Sequence, residues 1–244
     1  MPGLGAWLAL ALGAAVASTI GGVVGFGAGI IMLPLIAWTL GARASVPVLT
    51  VAMLFGNAGR VWFSREEVEP RVVGYFLIGA VPATIAGATL YTHLEVEWIS
   101  RILGTFMLLS VPLRRWLSRR GVWVRLRHFP LIGAGFGFLS ALVSSVGPVM
   151  SPFFLGYGLR RGAYIGTDAL CTVGMYVVRI IVFGRFSLLT PPTLTAGILI
   201  GVVMVSGAWM GRHLLDRISE RVFLLLIEAI LVVCGLQFLF VPVR

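Results

Sequence analysis

The chain has 244 residues, 59% hydrophobic and 11% charged, with a mean hydropathy of +1.01. A soluble domain is typically ~45–50% apolar and ~25% charged, so there is too little polar surface here to cover a water-soluble globule; a soluble enzyme, a disordered chain and a disulfide scaffold are excluded. The net charge of +10 does not indicate nucleic acid, which requires a solvated basic face. In so apolar a chain it reads as membrane orientation, with the lipid bilayer as the first partner.

A transmembrane helix needs ~20 largely apolar residues. In chain order, residues 1–42 carry no charge, and neither do 44–59 and 72–92. Residues 96–116 are apolar apart from Glu97, Arg101 and the arginines at the end, and the basic stretch 114–128 follows. Residues 129–159 are again charge-free, 162–183 contain Asp168 and Arg179, 186–211 are clean, and 222–243 contain only Glu228. Residues 5–40 and 129–159 are too long for one comfortable span. Both are broken by glycine, at Gly21, Gly22, Gly25, Gly27 and Gly29 in one and at Gly133, Gly135, Gly137 and Gly147-Pro148 in the other. Broken backbone survives in lipid only where protein or a water-filled cavity satisfies it. Each stretch therefore reads as a helical hairpin, of either two full spans or two shorter segments meeting near the midplane.

The two hairpins belong to an internal repeat. Gly27-Ala28-Gly29, Pro34, Ala44, Thr50, Arg60 and Phe63 find counterparts in Gly147-Pro148, Pro152, Ala163, Thr167-Asp168, Arg179 and Phe183, at an offset of about 118 to 120. Ala83-x-x-x-Gly87 matches Gly207-x-x-x-Gly211 at offset 124. Each half then holds a glycine-broken hairpin plus three transmembrane helices. Such a unit crosses the membrane an odd number of times, so two in series are inverted. The expected fold is an all-α integral membrane protein of two inverted repeats, 1–113 and 129–244, joined by a basic cytoplasmic linker at 114–128. Arginine placement fits: one alternation puts 14 of the arginines inside and leaves Arg43, Arg101, Arg185 and Arg244 outside, with both termini outside. Inverted repeats with broken helices recur in secondary transporters.

Gly25-Phe26-Gly27-Ala28-Gly29 followed by Pro34 resembles the glycine-rich hairpin of the sulfite exporter TauE/SafE family. So do the Ala44…Thr50 segment and the second copy at Gly147…Pro152…Ala163…Thr167, and the resemblance covers nearly the whole chain. It implies export of sulfite, sulfoacetate or related sulfur-containing anions across the bacterial inner membrane, with no cofactor. Departures from the pattern stand at Ala28, where a run of glycines is usual, and at Ser144-Ser145-Val146-Gly147-Pro148.

The residues themselves suggest where an anion would bind. A helix beginning inside the membrane presents unpaired N–H groups and a positive dipole end, and glycine lets a ligand approach that backbone. Gly25, Gly27 and Gly29 from one half and Gly147 to Val149 from the other fit such a cradle; the alternative is tight helix packing through small residues. Arg60 and Arg179 hold equivalent repeat positions, and guanidinium suits an oxyanion. The alternative for each is snorkelling to the nearer interface, and Arg179 is the stronger candidate. Asp168 follows Arg179's helix face three turns earlier, which suggests an ion pair that substrate would compete for. Asp168 and Glu228, the latter alone in the last span, are candidates for coupling a proton or ion. Thr50, Asn57, Ser144, Ser145 and Thr167 are candidate hydrogen-bonding groups for the substrate, the alternative for each being that it satisfies backbone. His93, His128 and His213 and the tryptophans at 98, 116 and 123 fall at membrane edges. No nucleophile–base or metal set appears, so the chain is not expected to be an enzyme. A transporter of another small substrate, or a non-catalytic membrane subunit, is the competing reading, and a homo-oligomer is compatible with either.

Overall fold

The computed structural model of the chain describes residues 3–24, 27–214 and 220–240. Among them are ten α-helices, two 3-10 turns and no strand. The first half holds α1 (Leu4–Val24), α2 (Ala28–Leu40), α3 (Ala42–Phe63), α4 (Pro70–His93) and α5 (Val96–Arg120). The second holds α6 (Phe129–Val143), α7 (Gly147–Tyr157), α8 (Arg161–Arg185), α9 (Pro191–Leu214) and α10 (Glu220–Phe240). Seven helices among the described residues are long and apolar enough to cross a membrane. Their outward faces carry Leu4, Ile78, Leu131, Ile181 and Val202, each more than half exposed, as a lipid-facing surface requires. The chain is an all-helical, multi-pass membrane protein.

Both stretches break into two helices as expected, α2 packing back on α1 while α7 packs on α5 and α8, and the backbone at each break ends a helix. Between α1 and α2, Gly27 takes φ 104°, a left-handed conformation that glycine adopts without penalty. Between α6 and α7 the same role falls to Ser144 at φ 63°, a strained choice for a residue with a Cβ. The returning arms are short: α2 has 13 residues and α7 has 11, or about 20 and 17 Å at 1.5 Å per residue against a hydrocarbon core of about 30 Å. They return only part of the way. The linker differs from expectation in one respect. Helix α5 continues through Arg114, Arg115, Arg119 and Arg120, because arginine is a good helix former, and stops at Gly121 with φ 60°.

Several helix contacts of one half have a counterpart in the other. Helix α1 lies along α9, and α6 along α4; α3 packs on α9, and α8 on α4; α2 touches α10, and α7 touches α5. Small residues set these contacts. Gly211 sits against Thr19 and Gly22, and Gly87 against Phe138 and Ala141. These are corresponding places, since Phe138 and Ala141 each follow Thr19 and Gly22 by 119 residues, the spacing that also separates the starts of α2 and α7. Equivalent helices also pair with each other. In α5 and α10, Gly104 abuts Gly235 and Leu239, Leu108 abuts Gly235, and Arg114 meets Glu228. The numbering rises on one helix as it falls on the other, so α5 and α10 run antiparallel. Helices α3 and α8 do likewise. Ser64, just past α3, contacts Gly166 near the start of α8, while the Tyr91 hydroxyl bonds the Arg43 carbonyl and its ring packs on Phe183 near α8's end. This pair is central: α3 and α8 are the most buried of the long apolar helices.

Candidate functional site

The two hairpin turns meet in the middle of the bundle. Gly29, in the first turn of α2, lies against Ser145 of the other hairpin, where a Cβ would come within 2.8 Å of the serine Cβ and Oγ. Beside this contact is a small cavity of about 30 Å³, room for one or two waters. Gly27 closes it from the first hairpin, and Ser144, Ser145, Val146 and Gly147 from the second. Helix α3 contributes Met53 and Arg60, and helix α8 contributes Asp168, Thr172 and Tyr176. Ser140 and Met150 complete the wall. A second, smaller cavity shares Met53 and Arg60 and extends between α1, α2, α3 and α9 past Ser18, Gly21, Gly56 and Ala208.

Arg60 is the cation of this site. It is 7% exposed and donates to the Asn57 side-chain oxygen one turn back. Asn57 is fixed in turn, its amide nitrogen donating to the Met53 carbonyl at 2.7 Å. Arg60 does not snorkel to an interface, because both cavities it borders lie inside the bundle. Asp168 is 3% exposed and lines the same cavity, with Oδ1 buried and without a hydrogen-bond partner. One cation and one carboxylate thus face a single space between the hairpins.

Arg179 does not line this cavity. It is fully buried; Nη1 donates to the Ser140 carbonyl and lies 3.4 Å from the Ser144 Oγ, and the guanidinium stands 4.4 Å over the Tyr176 ring. It forms no ion pair with Asp168. Eleven residues of helix rise about 16 Å, whereas side chains on one helix meet at spacings of three or four. A shared face is therefore not a contact.

Other candidates have structural employment. The Thr50 hydroxyl donates to the Val46 carbonyl at 2.7 Å inside its own helix. Thr167 accepts the Glu69 N–H at 2.9 Å, tying α8 to the residue that precedes α4. Glu228 is not alone: Arg114 and Arg115 of α5 both hold its carboxylate, Arg115 Nε at 3.0 Å from Oε1 and 3.2 Å from Oε2. These partners lie more than a hundred residues away in the chain, so its isolation in the sequence was only apparent. Gly25 lies outside the described residues. Sequence reading passed over Met53, Ser140, Thr172 and Tyr176. Tyr176 was within reach, because it is the sixteenth residue of α8 as Asn57 is of α3, each three before the arginine.

The family model for sulfite exporter TauE/SafE matches residues 10–238, and the chain belongs to that family. No curated protein and no solved structure matches it. Membership makes the chain a membrane transporter and not an enzyme.

Proposed function

We propose that the chain is a secondary transporter that exports a small sulfur oxyanion, sulfite or an organosulfonate, across the bacterial inner membrane. The anion binds between the two hairpin turns. The observation that carries this reading is the convergence of Arg60, Asp168 and both broken helix turns on one central cavity. Arg60 supplies the fixed charge, and Gly27 and Gly147 keep the backbone at the turns open to approach. The reciprocal packing of the two halves, with α5 antiparallel to α10, supports a pair of repeats inverted about an axis in the membrane plane. Rocking one repeat against the other would then expose the cavity to each side in turn.

Asp168 is the coupling group in this scheme. While it is ionised, its negative charge at the cavity opposes the entry of an anion. A proton on Asp168 removes that negative charge and favours the anion, so proton and anion bind together, and export runs where the outward gradient of the anion exceeds the inward gradient of the proton.

The test is thermal stabilisation of the purified protein by sulfite, set against sulfate, taurine, chloride and nitrate. Sulfite should raise Tm in the wild type and not in Arg60→Gln. Equal stabilisation of both proteins removes Arg60 from the site, and no response to any sulfur oxyanion removes the reading.

A further inference from the structure

We infer that Arg179 is a second oxyanion station, closed off in this conformation by Tyr176 and Ser144, onto which the anion of the central cavity passes. This rests on the cavity being an anion site, as proposed above.

Arg60 and Arg179 are each the nineteenth residue of their helices, α3 and α8, and each is held by the side chain three residues earlier, Asn57 or Tyr176. Their surroundings differ. Arg60 borders the cavity, while Arg179 is fully buried with Nε and Nη2 lacking any hydrogen-bond partner. A buried guanidinium with open donors is costly and favours an anionic partner. Among the described residues no carboxylate pairs with it.

The identity of the open donors sets the ligand class. Nη1 is occupied by the Ser140 carbonyl, which fixes the plane of the group. Nε and Nη2 form the side edge of the guanidinium, where two parallel N–H bonds grip two oxygens of one centre. The same edge of Arg115 holds both carboxylate oxygens of Glu228 in this protein. The site therefore suits a sulfite, sulfonate or carboxylate group, and a halide would satisfy it poorly.

Only one layer separates the guanidinium from the cavity. Ser140, Ser144 and Tyr176 line the cavity on one side and touch Arg179 on the other. The Tyr176 hydroxyl donates to the Ser144 carbonyl at 3.2 Å, and Ser144 carries the positive φ of the hairpin turn. A small rotation at this strained turn would break that bond and open the partition. Repeat equivalence then gives each arginine its turn at the open space.

The experiment uses full-length protein in two assays: sulfite binding by thermal shift, and counterflow of labelled sulfite in proteoliposomes with chloride as the control anion. Arg179→Lys keeps the charge and loses the fork. It should bind sulfite within about threefold of wild type yet exchange it about tenfold more slowly or worse. Counterflow at the wild-type rate overturns the second station, and so does a loss of binding equal to that of Arg60→Gln, which would mean one shared site. Tyr176→Phe keeps the ring over the guanidinium and removes the bond to Ser144, and it should speed counterflow by about threefold. An unchanged or slower rate overturns the partition, including where Arg179→Lys does not fold. A wild type that neither binds nor exchanges sulfite overturns the cavity reading itself.

Discussion

Gly29 and Ser145 come from opposite halves of the chain, and a single methyl group on Gly29 would collide with the serine at 2.8 Å. The contact holds the two hairpin turns together beside the cavity. Gly29→Val should therefore overpack the junction, at a cost of about 1–3 kcal/mol, and reduce sulfite counterflow more than its loss of Tm would suggest. Gly135 offers the control, since nothing lies within 4 Å of a Cβ placed there. Gly135→Val should leave counterflow unchanged. Equal losses in the two variants would show that the junction has no special part in transport.

Glu228 joins α10 to α5 through Arg114 and Arg115. Removing one partner of a buried pair costs about 3–5 kcal/mol, and the half-exposed Arg115 lowers the expectation for Glu228→Gln to about 1–3 kcal/mol. Thermal unfolding should report that loss. The folded protein should still show counterflow and the same dependence on a pH gradient as wild type. A loss of pH-gradient dependence at full stability would restore Glu228 as a coupling group.

Much of this arrangement was legible in the chain itself. The broken hairpins followed from glycines and prolines spaced within charge-free stretches, because lipid tolerates no unsatisfied backbone. The offset pattern set Arg60 and Arg179 at matching positions, and each is the nineteenth residue of its helix. Which of them borders the cavity was not legible, since that depends on the Ser140 carbonyl and the Tyr176 ring closing over Arg179. Thr167 was placed on the correct helix, but its partner is a backbone N–H of Glu69, and no side-chain pattern encodes such a bond. The Arg114–Glu228 pair was hidden for a similar reason. It depends on antiparallel packing of equivalent helices, and packing between distant segments leaves little mark on local composition.

The ends of the bundle are identified by contacts. Arg43 Nη2 lies 3.3 Å from the Thr92 carbonyl, and the His93 ring packs on Phe186 at 5.7 Å, so these residues share one end. Ser64 and Gly166 mark the other end, the arginine-rich one. The arginine bias predicts that this second end is cytoplasmic. A membrane-impermeant maleimide applied to intact cells should label His93→Cys and spare Ser118→Cys, and both should react after permeabilisation. The native Cys171 and Cys234 are buried and should give little background. The reverse pattern would turn the protein over in the membrane.

Asp168 provides the sharpest separation of binding from coupling. Its carboxylate and the Arg60 guanidinium face the same small space, and an arriving anion feels both. Asp168→Asn removes the negative charge while keeping nearly the same volume, so the site becomes permanently attractive to an anion. Sulfite should then bind more tightly, by about tenfold for 1.4 kcal/mol of relieved repulsion, and the affinity should no longer depend on pH. Counterflow, which needs no driving force, should persist. Flux driven by a pH gradient across the vesicle should vanish, because no proton accompanies the anion. Measuring both fluxes on the same vesicles keeps folding out of the comparison. A variant that still follows the pH gradient would place the proton elsewhere. One that loses counterflow along with its gradient response would make Asp168 a structural partner of Arg60, needed to hold the guanidinium at the cavity wall.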